Sequence, residues 1–237
     1  MVHDCVLALG FFDGVHLGHR ALMQKAVERA KQIGGTSAVF TFDVHPDSVV
    51  MGRQVPLLTA NAYRREEIKQ LGGVDEVIFG HFDERMQHMD WRDFIHKLLI
   101  GQFHAGWIIS GRNNRFGYKG QGNAEGMAVE CEKAGYDCIE DVKVDGIVVS
   151  STYIRQLIAQ GDMEGAAKFL GHPYTVTGIV EHGAASARAC SAYRRSICAC
   201  RLKWRCRPTA CTRRACSWTE KAISPRPISA SSRRFWT

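Results

Sequence analysis

Apolar and polar residues alternate in blocks that predict strands and helices in turn along the first 170 residues. Short apolar runs typical of buried strands occupy residues 5–9, 37–42, 75–79, 105–109 and 137–142. Apolar residues at helical spacing fill the segments between and after them, at 17–33, 63–71, 91–100, 125–134, 154–158 and 163–170. Strands that alternate with amphipathic helices predict an α/β fold with a doubly wound parallel sheet.

The first polar segment, G-F-F-D-G-V-H-L-G-H at 10–19, follows the first strand and leads into the first helix. A strand, a tight loop and a helix N-terminus together present backbone N–H groups to a phosphate. His16 and His19 lie on one face of the helical turn, and Gly18 between them lets a ligand approach closely. Such imidazoles can stabilise the charge that develops in phosphoryl or nucleotidyl transfer. The simpler interpretation is a capping turn with two surface histidines.

Two further polar loops begin where the second and fourth strands end. Asp43 and His45 precede a proline after the second strand, and the loop at 110–120 is rich in glycine, amide and basic residues. Ligands of open α/β sheets bind at the carboxyl ends of the strands. The amide of Asn113 can contact a heterocycle edge or a ribose, and Arg115 can meet a phosphate. A proline-stopped turn and a solvated basic loop are the alternatives.

Three hydroxyl residues stand at the start of the helix that follows the fifth strand. Ser150, Ser151 and Thr152 are followed one helical turn later by Arg155. Hydroxyls at a helix start satisfy unpaired backbone N–H groups, which is by itself a sufficient structural explanation. With an arginine on the next turn, they also form a set that can hold a triphosphate.

Taken as a set, these motifs resemble those of the bacterial FAD synthetases, the adenylyltransferase half of the bifunctional riboflavin kinase/FAD synthetases. The segment at 10–19 is similar to the family's ATP-binding signature, 40–46 to its F-x-F-x-x-H-P element, and 149–155 to its I-S-S-T-x-I-R signature. The loop at 110–120 resembles the G-x-[DN]-F-R-F-G element, with Asn114 in place of an aromatic residue and Arg112 in place of a common acid. The resemblance covers roughly residues 6–183 and places the chain with the H-x-G-H nucleotidyltransferases.

The resemblance implies that ATP and FMN react to give FAD and pyrophosphate, with Mg²⁺ sharing the charge of the triphosphate. It implies three catalytic residues, His16, His19 and Arg155, and no protein side chain as a metal ligand. The implied ATP contacts are Gly10, Phe12, Asp13, Gly14, His16, Gly18, His19, Ser150, Ser151, Thr152 and Arg155. The implied FMN contacts are Asp43, His45, Asn113 and Arg115.

Composition changes abruptly at about residue 183. The net charge is +7, yet residues 184–237 hold 13 of the 31 lysines and arginines and a single acid, so residues 1–183 are net negative. Six of the nine cysteines also lie after residue 183. A hydrophobic fraction of 45% suffices for a packed core. Because no apolar run reaches membrane length and no signal-peptide pattern is present, we expect a cytoplasmic protein without a membrane partner.

Three interpretations compete for residues 184–237. A basic tail could bind nucleic acid through phosphates, and its cysteines could bind zinc, although no C-x-x-C pair is present. Alternatively, the segment is translated out of frame, because a one-base shift permits readings that resemble L-G-[FI]-P-T-x-N, G-V-Y-A and N-I-G elements of the riboflavin kinase half, in that order. We favour the shifted frame. It predicts an adenylyltransferase domain at 1–172, the start of a kinase barrel at 173–183 with a strand at 174–181, and a disordered tail without kinase activity.

Two other functions stay open at this point. One is adenylyl transfer to a different phosphate acceptor, such as nicotinamide mononucleotide or phosphopantetheine. The other is a non-catalytic protein that binds nucleic acid through the basic tail. The favoured interpretation predicts the small molecules ATP and FMN as partners and no nucleic-acid partner.

Overall fold

The computed structural model describes residues 5–176 in full and, beyond them, the backbone of two short strands. The strands are β1 Cys5–Leu9, β2 Thr36–Phe42, β3 Glu76–Gly80, β4 Ala105–Gly111, β5 Tyr136–Ile139, β6 Lys143–Val144, β7 Ile147–Val148, β8 Val180–Glu181 and β9 Ile197–Cys198. The helices are α1 Leu17–Ile33, α2 Pro46–Val50, α3 Asn61–Gly72, α4 Glu84–Gln87, α5 Trp91–Asp93, α6 Ala124–Glu130, α7 Ser151–Gln160 and α8 Met163–Leu170. A π-helix, Phe94–Gln102, continues α5, and a 3₁₀ turn spans Tyr118–Gly120.

Five parallel strands form the central sheet in the order β3-β2-β1-β4-β5. Alternate residues of β1 point to opposite faces, where two separate hydrophobic clusters cover the sheet. Val6 and Ala8 belong to the cluster that contains buried residues of α1 and α3. Leu7 and Leu9 belong to the other, with buried residues of the π-helix. The predicted doubly wound α/β fold is confirmed.

The strand order reverses at β1, because β2 lies on one side of this strand and β4 on the other. The loops that follow β1, β2 and β4 therefore emerge at the carboxyl edge of the sheet, where such folds bind ligands. The N-terminus of α1 follows the β1 loop directly, and the helix ends at the predicted Gly34, which has a φ of 68°.

Three predicted elements differ in detail from the structure. The helix expected at 91–100 has a single α-helical turn before the wider π-helix, whose last bond runs from the N–H of Phe103 to the carbonyl of Leu98 at 3.1 Å. The strand expected at 137–142 ends at Ile139 because its one neighbour, β4, ends opposite it at Gly111. Residues 143–148 instead form a hairpin. The helix expected at 125–134 ends at Glu130, and turns follow it.

The strand expected at 174–181 is observed only at Val180–Glu181, which pairs antiparallel with Ile197–Cys198. Residues 174–176 belong to no strand. Apart from that strand pair, the boundary expected near residue 183 and the tail beyond it lie outside the described residues. No helix in the described part of the chain combines the length and the hydropathy that a bilayer crossing needs.

Candidate functional site

The carboxylate of Asp13 ties the loop after β1 to two distant segments of the chain. It is 1% exposed, and its Oδ1 accepts hydrogen bonds from the backbone N–H groups of Leu58 at 2.8 Å and Thr59 at 3.0 Å. Arg155 Nη2 donates to Asp13 Oδ2 at 2.6 Å. The hydroxyl of Ser151 donates to the carbonyl oxygen of Asp13 at 3.0 Å. The first and last predicted motifs are therefore in direct contact through one buried residue.

The loop after β1 adopts a backbone shape that is costly for residues other than glycine. Phe12, Gly14 and Val15 have φ angles of 56°, 76° and 38°. A Cβ at Gly14 would lie 2.7 Å from Leu58 Cδ1, so a larger residue there would displace Leu58 in addition to straining the backbone. For the β-branched Val15 a positive φ is a true outlier, and such strain is typical of functional loops. The bonds to Asp13 hold the loop in this shape.

His16 caps the N-terminus of α1, and its ring stacks on the ring of His19. Nδ1 of His16 accepts a hydrogen bond from the His19 backbone N–H at 3.2 Å. The two ring centroids are 3.5 Å apart, and their planes differ by 14°. Because Nδ1 is an acceptor, the neutral His16 ring carries its proton on Nε2. A Cβ at Gly18 would approach the His16 ring to 3.3 Å, so this glycine makes room for the ring.

Burial keeps both imidazoles uncharged at neutral pH. It lowers the pKa of His16 to about 4, and the charge of Arg155 acts in the same direction. The pKa of His19 lies well below its usual value because of burial and, secondarily, because a second proton would be repelled by a protonated His16 and by the charge of Arg64. Nδ1 of His19 is buried and has no hydrogen-bond partner among the described residues. An arriving anion would raise the proton affinity of both rings.

The cluster at the start of α7 divides into structural hydroxyls and an arginine with an unused donor. Ser150 caps the helix by accepting a hydrogen bond from the backbone N–H of Tyr153 at 3.2 Å, as the capping interpretation predicts. Thr152 is exposed at the first turn. Arg155 is held by Asp13, but its Nε is buried without a partner in the described part of the chain. Arg155 thus combines a positive charge with a free donor.

Asp43 and His45 lie at the end of β2, and both side chains are already engaged. Asp43 interacts with Nδ1 of His81 at 2.6 Å and accepts from the backbone N–H of Phe82 at 3.3 Å. Burial raises the pKa of Asp43, but the hydrogen bonds from His81 and Phe82 outweigh it and lower the pKa overall. His45 caps α2, and its ring centroid is 4.5 Å from that of Phe11. This contact places His45 beside the β1 loop.

Asn113 and Arg115 lie in the loop after β4, and both are exposed. The amide of Asn113 donates to the carboxylate of Asp141 at 2.8 and 3.0 Å. The neighbouring Arg112 pairs with Glu140 at 3.0 Å. Among residues 5–176, neither Asn113 nor Arg115 hydrogen-bonds to the groups around Asp13. The structure therefore brings the ATP-signature residues together but leaves these two on a separate, solvated loop.

Arg64 was not predicted from the sequence, although it lies at the same edge of the sheet. Its side chain is fully buried, its Nη2 donates to the carbonyl oxygen of Phe42, and its guanidinium lies 4.1 Å above the ring of Phe11. Burial lowers the pKa of Arg64 to about 10, against the opposing charges of Asp13 and Asp43. The available signal was its position four residues before Ile68, on the buried face of α3.

Comparison with protein families and with curated proteins gives consistent matches. The family model described as FAD synthetase matches residues 1–153. The bifunctional riboflavin kinase/FMN adenylyltransferase of Listeria monocytogenes is 36% identical over 75% of this chain and 57% of its own length. The protein of the same name from Bacillus subtilis is 36% identical over the same shares. The Escherichia coli K12 protein is 32% identical over 76% of this chain and 58% of its own length. The chain therefore spans less than two thirds of the length of these relatives.

A solved structure supports the fold. The crystal structure described as a macrolide-efflux protein from Streptococcus pneumoniae superimposes with a TM-score of 0.69 and 26% sequence identity. The match covers 78% of this chain and 62% of that chain. Efflux is stated of that protein alone. What the likeness contributes here is the shared arrangement of strands and helices.

Proposed function

This chain belongs to the FAD synthetase family, and from that premise we propose that it transfers AMP from ATP to FMN. An oxygen of the FMN phosphate attacks the α-phosphorus of ATP, the bond between that phosphorus and the bridging oxygen breaks, and pyrophosphate leaves as FAD forms. The observation that carries the proposal is the bond between Asp13 and Arg155, because it joins the two signature motifs across 142 positions of sequence. Positioning and charge neutralisation can supply most of the acceleration of such a transfer.

His16 and His19 are the proposed stabilisers of the transition state. Both are neutral at pH 7, so they act as hydrogen-bond donors rather than as permanent cations. Nε2 of His16 carries the available proton, because Nδ1 is occupied by the capping bond. The N-terminus of α1 adds its partial positive charge at the same place. Donors that strengthen as negative charge builds up on the leaving pyrophosphate lower the barrier selectively.

Arg155 is proposed to hold the triphosphate, with Ser150, Ser151 and Thr152 at the start of the same helix. Asp13 takes up one guanidinium nitrogen and fixes the direction of the others. Because the guanidinium is fixed before ATP arrives, little side-chain entropy is lost on binding. In this role Asp13 is a positioning residue, since its carboxylate is buried and fully engaged.

Mg²⁺ does not fit a site made of protein carboxylates at this edge of the sheet. The oxygens of Asp13 are occupied by two backbone N–H groups and by Arg155. Residues 5–176 contain no group of three or more His, Cys, Asp or Glu side chains arranged to hold a metal ion. We therefore assign Mg²⁺ to the phosphates of ATP, as their counter-ion in solution.

The proposed FMN contacts are Asp43, His45, Asn113 and Arg115, at the ends of β2 and β4. Asp43 and Asn113 are both bonded to exposed neighbours, so FMN would exchange these bonds for its own. We place the adenylyltransferase domain at residues 1–172, the start of a kinase barrel at 173–183 and a non-functional tail after it. The change of composition at residue 183 supports this division and the loss of riboflavin kinase activity.

The test is to incubate the full chain with ATP, Mg²⁺ and either FMN or riboflavin and to separate the flavins by chromatography. We expect FAD from FMN and no product from riboflavin. His19→Gln should lower FAD formation at least about 100-fold, the usual effect of removing one transition-state donor. His88→Gln is the matched control, because this histidine is exposed at the C-terminal end of α4 and belongs to none of the proposed contacts. Conversion of another phosphate acceptor but not FMN would contradict the proposal, and FMN formed from riboflavin would contradict the loss of the kinase.

A further inference from the structure

Arg64 keeps at least three unused N–H donors in the protein interior. A guanidinium carries five N–H groups, one on Nε and two on each Nη nitrogen. Nη2 donates to the carbonyl oxygen of Phe42, whereas Nε and Nη1 are buried and have no partner among the described residues. A buried charge with unsatisfied donors lowers stability, so a side chain of this kind needs an explanation.

The surroundings of Arg64 connect it to the site rather than to the hydrophobic core alone. Phe11, on whose ring the guanidinium lies, belongs to the β1 loop, and Phe42 ends β2. The positive charge of Arg64 acts on His19 and His45, lowering the pKa of both, although burial is the larger cause for each. Arg64 is therefore at the carboxyl edge, within electrostatic reach of the stacked histidines.

The carboxylates near Arg64 are committed to other groups. Asp13 is neutralised by Arg155 at 2.6 Å, and Asp43 is bonded to His81 at 2.6 Å. Within the described residues, Arg64 forms no salt bridge. The buried side-chain nitrogens of this region that lack a partner among the described residues are Nδ1 of His19, Nε of Arg155, and Nε and Nη1 of Arg64. The site therefore has an excess of buried positive charge and of unpaired nitrogen atoms.

We propose that Arg64 is an anion-binding residue and that its Nε and Nη1 groups donate to phosphate oxygens of a substrate. The identity of the substrate rests on the proposed function, which supplies two sources of this chemistry, the polyphosphate of ATP and the 5′-phosphate of FMN. A phosphate oxygen satisfies the buried donors and neutralises the charge at once. The stacking on Phe11 holds the guanidinium flat and in place before the anion arrives.

The test compares the full-length wild type with Arg64→Met and Arg65→Met. Methionine keeps an unbranched side chain that can pack on Phe11 but removes the donors and the charge. Arg65 is the matched control, because it is the adjacent residue, lies over Phe79 and is exposed. Inorganic pyrophosphate is titrated by calorimetry and FMN by flavin fluorescence, and the unfolding temperature of each ligand-free variant is recorded.

We expect Arg64→Met to lower the affinity for one of these ligands about 10- to 100-fold, the effect of losing charge-assisted hydrogen bonds. Arg65→Met should leave both affinities unchanged. Weaker pyrophosphate binding assigns Arg64 to the polyphosphate, and weaker FMN binding assigns it to the flavin phosphate. The ligand-free Arg64→Met chain should unfold at the same or a higher temperature, because an unsatisfied buried charge has been removed. A merely structural arginine would show the opposite, with lower stability and unchanged affinities.

Unchanged affinity for both ligands in Arg64→Met, or no binding of either ligand by the wild type, would overturn the proposal. If Arg64→Met does not fold, the affinities for pyrophosphate and FMN are measured on Arg64→Gln instead, with Arg65→Gln as its control. The binding measurements also separate this proposal from the proposed function. If Arg64→Met loses anion affinity and the wild type makes no FAD, the binding role of Arg64 stands and the proposed reaction is refuted. Normal FAD synthesis with intact affinities in Arg64→Met would refute only the role of Arg64.

Discussion

Arg29 and Arg64 both lay a guanidinium over an aromatic ring, and they differ in what their nitrogen atoms bond to. Arg29 lies 4.1 Å from the ring centre of Trp107, and Arg64 lies 4.1 Å from that of Phe11. Nε and Nη2 of Arg29 donate to Asp137 at 3.1 and 2.8 Å, and its Nη1 donates to Gln32 at 3.0 Å. Arg64 has one bonded nitrogen and two buried ones without partners in residues 5–176.

If Arg64 binds an anion as proposed, the pairing of the guanidinium nitrogens, more than the charge itself, separates a structural arginine from a functional one. The charge of Arg29 is neutralised inside the fold, so removing it should cost stability and spare the chemistry. Arg64 and Arg155 keep donors for which the described residues offer no acceptor. Such groups are destabilising until an anion arrives, and they persist where binding requires them.

The largest expected effect comes from Asp13→Asn. Asp13 is the carboxylate partner of Arg155, just as Asp137 is the carboxylate partner of Arg29. The substitution removes the negative charge of the buried Asp13 and leaves the partly buried Arg155 unpaired. We expect FAD formation to fall at least about 100-fold and the free energy of unfolding to fall by about 3 kcal/mol, the usual cost of breaking a buried pair. Product chromatography and urea denaturation measure the two effects. Asp137→Asn is the control and should reduce stability while keeping activity, so equal activity losses would refute the distinction.

A second comparison pairs Arg64→Met with Arg29→Met. Arg29→Met should lower the free energy of unfolding by about 1–2 kcal/mol, through the loss of a partly buried ion pair, and leave kcat/KM for FAD formation nearly unchanged. Arg64→Met should lower kcat/KM about 10- to 100-fold without lowering stability. Denaturation curves and steady-state rates on the same preparations provide both numbers. If both variants changed stability and kcat/KM in the same way, the pairing of the guanidinium nitrogens would not distinguish a structural arginine from a substrate-binding one.

The pH dependence of stability tests the burial of the stacked histidines. Burial lowers the pKa of His16 from 6.5 to about 4, so between these values the unfolded chain binds a proton that the folded chain does not. Stability is therefore greatest above pH 6.5 and falls as the pH drops towards 4, by about 2 kcal/mol between pH 7 and 5 from His16 alone. His16→Asn keeps a capping residue but cannot titrate, so its denaturation free energy should fall less steeply. Identical slopes in both chains would contradict the burial of a neutral ring.

The smallest expected effect belongs to the exposed loop after β4. Asn113 is paired with Asp141 in solvent, so replacing it leaves no buried group unsatisfied. Asn113→Ala should raise the KM for FMN about three- to tenfold, the loss of one hydrogen bond, and leave the unfolding midpoint where it is. Steady-state kinetics at saturating ATP gives the KM. A rise in the KM for ATP without a rise in the KM for FMN would contradict the FMN assignment and indicate that this loop contacts ATP.

The fold was largely predictable from the sequence because its signals are local and agree with one another. Apolar runs and helical spacing predicted the five strands of the sheet, and Gly34 predicted the end of α1. The hairpin between β6 and β7 was missed, although Asp145-Gly146 is the usual signal for a two-residue hairpin turn and both residues have positive φ. The widening of α5 into a π-helix has no comparable local signal in the sequence.

The site was predictable only as far as motifs specify it. The motifs pointed to His16, His19 and Arg155, and the structure places their side chains around the β1 loop. The internal role of Asp13 was not predictable, because its partners at 58 and 59 are backbone N–H groups that any sequence would provide. Arg64 was missed because no recognised motif includes the helix predicted at 63–71, in which it lies.

The bonds of Asp13 also bear on the order in which the chain is made. Its backbone partner at Leu58 is 45 positions away, and its counter-charge, Arg155, is 142 positions away. A ribosome therefore delivers the carboxylate long before the guanidinium that permits its burial, and an uncompensated carboxylate stays hydrated. The loop after β1 gains its bonds to Ser151 and Arg155 only when α7 docks, so a nascent chain does not complete these contacts until that helix has emerged.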